Sequence, residues 1–214
     1  MQDPAKRQAM RDHLQRKLAT EKGAARIIFA DNPSGRFVGE ELGEVAARER
    51  MEPGDFALRI IEAEAPYCLM VYHRNPSPEE EWQTIWETAR HPSMLVASDG
   101  IYHGASTHPR GFGCFSRILR LVVREMGALS LEEAVWKMSG FPAERFRIPD
   151  RGFLRTGHAA DVVIFNQETV ADRSTWTEPW LEPVGIDRVL VNGRTVVLAG
   201  VPTGETPGQI VRRR

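Results

Sequence analysis

Near residue 150 the hydrophobic pattern of this chain changes period, and that change restricts the folds open to it. Before it, short apolar runs alternate with helical stretches; after it, apolar and polar residues alternate one by one. The runs lie at 25–30, 67–72 and 94–97, each nearly all apolar, which predicts strands buried on both faces. Helices are expected at 40–50, 55–64 and 77–90. Strands that alternate with helices predict a parallel sheet. Three such strands leave two edges and much apolar face uncovered. The 214 residues therefore read as part of something larger: an α/β portion over 1–150, a small β unit over 151–200 and a tail over 201–214.

Local signals place the other elements. Asp3 can cap a helix over 4–22, with Pro4 at its first position and Gly23 at its end. Its apolar face, Met10, Leu14 and Leu18, is thin, as expected of a surface helix. Ser77, Pro78 and the acidic Glu79, Glu80 and Glu81 mark a second start, where negative charge meets the positive end of the helix dipole. Residues 99–113 read as a loop and 115–126 as a helix. Ser130 and Glu133 form a capping box, and a short helix follows Pro142. Beyond 150, a strand is expected at 160–165. Strands at 188–191 and 195–198 flank Asn192-Gly193, a strong hairpin signal. The tail beyond Pro202 reads as a frayed end.

Composition excludes several classes. With 28 Lys and Arg against 29 Asp and Glu, the chain has no overall basic footprint for nucleic acid. No run of 18 apolar residues exists to span a membrane. Cys68 and Cys114 are too few for a disulfide framework or a cysteine-rich zinc site. The charged amino terminus has no apolar signal core, so a soluble, cytoplasmic protein is the expectation.

Parallel sheets place their chemistry at the carboxyl ends of strands, and Asp99 sits directly after the run at 94–97. Its context, MLVASDGIYHGASTHPRGFGCFSRIL, is followed by LSLEEAVWKMSGFPAERF, DRGFLRTGHAADVVIFN and VLVNGR. These blocks, in this order, resemble the carboxyl-terminal part of the N-acyl-D-amino-acid deacylases, the D-aminoacylase branch of the metal-dependent amidohydrolase superfamily. The resemblance is clear over 65–200 and fainter from 25.

The resemblance implies a partial β/α (TIM-like) barrel, its last few strand–helix units, followed by a small part of a β-sandwich. Residues 94–97 would be the last barrel strand. It implies zinc as cofactor and a small N-acyl amino acid as substrate, with no nucleic acid or membrane partner. Amide hydrolysis at neutral pH needs an activated water, which zinc supplies by lowering the pKa of the water it binds to about 7. Asp99 matches the family carboxylate that takes the proton and hands it to the departing amine, and it can also touch the metal. Arg110 matches the arginine that grips the substrate α-carboxylate, a task suited to a two-point guanidinium fork.

The family draws most metal ligands from a His-x-His and from further histidines that have no match here. His13, His73, His91, His103, His108 and His158 are scattered. The resemblance therefore implies a carboxyl-terminal fragment, inactive alone: a truncated gene model, one half of a split gene or a degenerate copy. An alternative of another class is a non-catalytic chain that docks on a missing amino-terminal half or on its own copy through its open sheet. Plainer readings stand beside these. Ser98-Asp99-Gly100 is ordinary turn chemistry, Arg110 a loop charge, and His103 and His108 solvated loop residues. Cys114 reads as a packing thiol. Gly111, Gly113 and Ser116 do not make a dinucleotide fingerprint, because no strand precedes them.

Overall fold

Two helices, not one, join the first pair of strands, and that count sets the strands' direction. The computed structural model describes residues 3–19, 27–64, 68–72, 78–102 and 107–212. Gly23, Tyr67, His73, Ser77 and His103, which the sequence singles out, lie outside the described residues. The described elements are α1 (Pro4–Leu18), β1 (Ile27–Asp31), α2 (Leu42–Arg48), α3 (Pro53–Ala63), β2 (Leu69–Tyr72), α4 (Pro78–Arg90), α5 (Arg110–Arg117), α6 (Leu131–Val135), α7 (Phe141–Arg145), β3 (Val162–Phe165), β4 (Ile186–Val191), β5 (Arg194–Leu198) and β6 (Val201–Pro202). The chain is α/β, and its described residues fall into two compact units. One is drawn from Met1–Ser77, Gly100–Pro109 and Thr175–Trp180, the other from Pro78–Asp99, Arg110–Ser174 and Leu181–Arg214.

In the first unit β1 and β2 pair antiparallel, with Ile28 opposite Val71 and Phe29 opposite Met70. This corrects the expected parallel pairing. A single crossover helix returns the chain parallel; α2 and α3 together add one more reversal, so β2 comes back against β1. Phe29, Leu42, Val45, Phe56 and Ile60 form the buried core. There Phe29 and Phe56 meet edge to face with ring centres 6.1 Å apart, a favoured aromatic arrangement.

Helix α1 rides on α3. Asp3 caps it by accepting from the Ala5 and Lys6 amides. Only Leu18 of its apolar positions is buried, as its thin stripe predicts. The rest of its attachment is polar: Arg7 pairs with Glu62 at 2.9 Å and Arg11 with Asp55. Gly54 permits the approach, since a Cβ there would stand 2.8 Å from Gln15 Cγ.

In the second unit α5 continues into a π-helical stretch, Ile118–Glu125, and α6 into another, Trp136–Gly140. The expected capping box forms: Ser130 accepts from the Glu133 amide and Glu133 returns the bond. Val122, Leu129 and Ala134 are buried together with Ala89 of α4. Three arginines bind one connecting segment. Arg120 pairs with the buried Asp172 at 2.7 Å, Arg117 with the same carboxylate at 3.4 Å, and Arg124 donates to the carbonyls of Gln167 and Val170.

Strands β3 to β6 make an antiparallel sheet in chain order. The Asn192-Gly193 hairpin is present, with φ of 48° and 78°, the left-handed pair that a two-residue turn requires. Ala199-Gly200 repeats the device with φ of 50° and 78°. Among the described residues no helix is long and apolar enough to cross a membrane.

Candidate functional site

Residues 94–97 do not form the expected strand. In the second unit, the Val96 amide reaches the Lys137 carbonyl at 3.2 Å, and no ladder runs along the segment among the described residues. A buried strand needs a neighbour on each edge to satisfy its amides, and the described residues supply none here. Lys137 holds the segment instead. Its buried ammonium donates to the His91 carbonyl at 2.7 Å, while its own carbonyl receives Val96.

Asp99 ends this segment in a left-handed conformation, φ 47°, which short polar side chains adopt more readily than others. Its side chain is 75% exposed, and its Oδ2 lies 2.6 Å from Arg110 Nη2. The same guanidinium donates from Nε to the Asp99 carbonyl at 2.9 Å. Both sequence-derived site residues therefore meet, joined by a fork that grips one residue at two points.

Arg110 is not in a loop. Helix α5 starts at Arg110, five residues before the helix expected from the sequence. That register explains a second contact: four residues on, Cys114 Sγ stands 3.6 Å from the Ala97 carbonyl. Four helical residues rise about 6 Å, so Arg110 and Cys114 lie on one face and secure the Asp99 segment at two places. Burial pushes the Cys114 thiol above its ordinary value, with Arg110 opposing, which suits a packing thiol rather than a nucleophile.

Gly113, between these two residues, is a packing glycine. A Cβ there would collide with Ser174 Oγ and lie 3.1 Å from Asp172 Cβ. The contacts made by Cys114 and Lys137 were missed from the sequence. Their signal was the i, i+4 spacing of Arg110 and Cys114, hidden once 99–113 was read as loop. His108, in the first unit, sets its ring against Trp176 with centres 4.6 Å apart.

Among the described residues no group of three His, Cys, Asp or Glu side chains is placed to hold an ion. The charged group described beside Asp99 is the Arg110 guanidinium. What the arrangement offers is a displayed carboxylate beside a carboxylate-binding side chain.

Residues 8–197 match the amidohydrolase family, and the chain belongs to it. It is 42% identical over 186 residues to an N-acyl-D-glutamate deacylase of Alcaligenes xylosoxydans xylosoxydans, covering 87% of this chain and 36% of that protein. A D-aminoacylase of the same organism is 37% identical over 187 residues, covering 87% and 37%. Among solved structures, the zinc and phosphonate-inhibitor complex of the N-acyl-D-glutamate deacylase from Bordetella bronchiseptica aligns with TM-score 0.68 and 38% identity, covering 80% of this chain and 34% of that one. The chain thus spans about a third of the length of the relatives it matches.

Proposed function

We propose that this chain is the carboxyl-terminal portion of a metal-dependent hydrolase of linear amides, of the N-acyl-D-amino-acid deacylase type. In this reading 1–150 belongs to the last strand–helix units of a β/α barrel and 151–200, with β3–β6, to a flanking sandwich. The relatives' names and the zinc in the Bordetella structure support the reaction class. The observation that carries the proposal is the left-handed, exposed Asp99 held by Arg110.

Asp99 takes a proton from the water that attacks the amide carbon and returns it to the departing amine nitrogen. Arg110 receives the substrate α-carboxylate. Because one guanidinium serves both carboxylates, the substrate displaces Asp99 from Arg110 Nη2 as it binds, and so frees the base. Zinc would come to this site on ligands outside the described set, and the chain alone is inactive.

The test supplies the rest of the enzyme: co-expression with the part of the N-acyl-D-glutamate deacylase relative that this chain does not match. Amine release from N-acyl-D-glutamate is expected with the wild-type chain. The Asp99→Asn chain should be slower by roughly 10²–10⁴, the usual contribution of a proton-transferring group. Equal activity with Asp99→Asn, or none with wild type in an assembled complex, refutes the proposal.

A second reading, a chain that docks on a partner or its own copy through its sheet, has its own observation. In β3–β6 the row Ile164, Arg188, Leu198, Val201 faces one side and Val163, Val189, Val197, Pro202 the other. Ile164 and Leu198 are each 47% exposed and Val163 55%. Antiparallel sheets commonly keep one face polar, so apolar exposure on both sides favours a covering partner. A monomer by analytical ultracentrifugation that binds no amino-terminal piece would count against it.

A further inference from the structure

Resting on the reading of Asp99 as the proton-transferring base, we propose that Lys137 is its positioning residue. Lys137 clamps the irregular segment that carries Asp99 at two points and so sets where the carboxylate stands during catalysis. Residues 94–99 lie in no described helix or strand, so their place depends on individual bonds. Lys137 makes two of these. Its Nζ donates to the His91 carbonyl at 2.7 Å, and its own carbonyl accepts from the Val96 amide at 3.2 Å. Asp99 follows Val96 by three residues, which span at most about 10 Å. The other described anchors are Arg110 at Asp99 itself and the weak contact of the Cys114 thiol with the Ala97 carbonyl. When substrate takes Arg110 Nη2, the Asp99 side chain loses its tether, and the Lys137 clamp keeps the backbone in place.

Both halves of the clamp depart from ordinary helix design. Lys137 lies in the π-helical stretch Trp136–Gly140, and the Phe141 amide bonds five residues back, to the Trp136 carbonyl. The next donor in that register would be Pro142, which has no N–H. The Lys137 carbonyl is thereby left without a helical donor and is free for Val96. π-Helical turns recur at functional sites. The side-chain half puts a charge where charge is unfavourable. Lys137 is 6% exposed, and among the described residues its ammonium meets no carboxylate. Burying a charge without a counter-ion opposes folding. The His91 carbonyl does not need it either, since it already accepts from the Met94 amide at 3.0 Å. An apolar side chain of the same length would serve folding as well.

The test uses the complex assembled with the N-acyl-D-glutamate deacylase portion. Lys137→Met keeps the length and removes the donor. It should lower kcat by about 10–100-fold, the scale of an ångström-sized misplacement. KM should be unchanged, because Arg110 is carried by α5 and not by the clamped segment. The melting temperature of the chain should not fall, which a structural role would require it to do. Added to Asp99→Asn, Lys137→Met should slow the reaction no further, since the two act as a unit. Pro142→Ala offers the Lys137 carbonyl a helical donor, so hydrogen exchange at the Val96 amide should quicken in the chain alone. With Asp99→Asn slow, any of four results overturns the Lys137 role and leaves the Asp99 reading standing: unchanged kcat in Lys137→Met, a rate loss matched by a loss of melting temperature, further slowing in the double variant, or unchanged Val96 exchange in Pro142→Ala. If Asp99→Asn is as fast as wild type, the Asp99 reading falls and the Lys137 role falls with it.

Discussion

Gly113→Ala sets two forces against each other, and their balance tests how α5 is held. Helix propensity favours the alanine by about 0.5–1 kcal/mol. Packing opposes it: the new Cβ collides with Ser174 Oγ and stands 3.1 Å from Asp172 Cβ. Neither neighbour yields easily. Ser174 is buried, and the Asp172 carboxylate is held by Arg120 and Arg117. Overpacking of this kind costs about 1–3 kcal/mol. Two immobile neighbours place the cost in the upper half of that range, so the net expectation is destabilisation by about 1–2 kcal/mol. For a chain of this size that lowers Tm by about 2–8 °C. Circular dichroism melts measure it. Ser174→Ala in the same background removes the nearer obstacle, so the double variant should lose less than the two singles summed, with coupling of at least about 0.5 kcal/mol. If Gly113→Ala melts at or above the wild-type temperature, propensity rules, and the close approach of α5 to the Asp172–Ser174 segment is wrong.

Four further outcomes can be measured. Hydrogen bonds from Arg11 and Arg7 hold the Asp55 and Glu62 carboxyls below their ordinary values. The stability these pairs give is therefore complete above the unfolded carboxylate range, about 4, and is lost as pH falls through the lower folded values. Urea midpoints below pH ~4 should thus fall less steeply in Arg11→Ala than in wild type. Ser130→Ala removes the α6 cap and should cost about 1 kcal/mol by urea denaturation; a cost near zero would exclude the reciprocal capping box. Cys114, with its thiol raised by burial, should react with iodoacetamide more slowly at neutral pH than a free thiol does. Asp99→Asn, which tolerates the same left-handed backbone, should change stability by no more than about 0.5 kcal/mol while slowing the reconstituted enzyme by roughly 10²–10⁴.

What the sequence made legible were features encoded within a few residues. The α6 capping box, the proline-led starts of α1 and α4, and the Asn192-Gly193 hairpin all follow from local stereochemistry. What it hid depends on distant partners. Strand direction in the β1–β2 pair is a matter of how many helices intervene, not of the strands' own apolar runs. Residues 94–97 carry a strand's composition without the neighbours that would make them one. Arg110 was assigned to a loop because Gly111 and Gly113 depress helix propensity. Gly113 is there for the Ser174 contact, 61 residues away in sequence, which no local rule can see.

The same contrast bears on why Asp99 is built as it is. Its pair with Arg110 joins a side chain 75% exposed to one 35% exposed, and ion pairs so solvated contribute little to folding. Its backbone lies at φ 47°, a conformation that costs a non-glycine residue free energy. Glycine would relieve that cost, and Gly100 follows directly. Folding stability alone therefore does not account for a carboxylate at this position, whereas it fully accounts for the buried and doubly paired Asp172, two residues before Ser174. Asp99 and Asp172 divide cleanly. Asp172 is enclosed and satisfied, so its removal should be felt in stability. Asp99 is displayed, strained and held by a single arginine that can exchange it for another carboxylate, so its removal should be felt in chemistry.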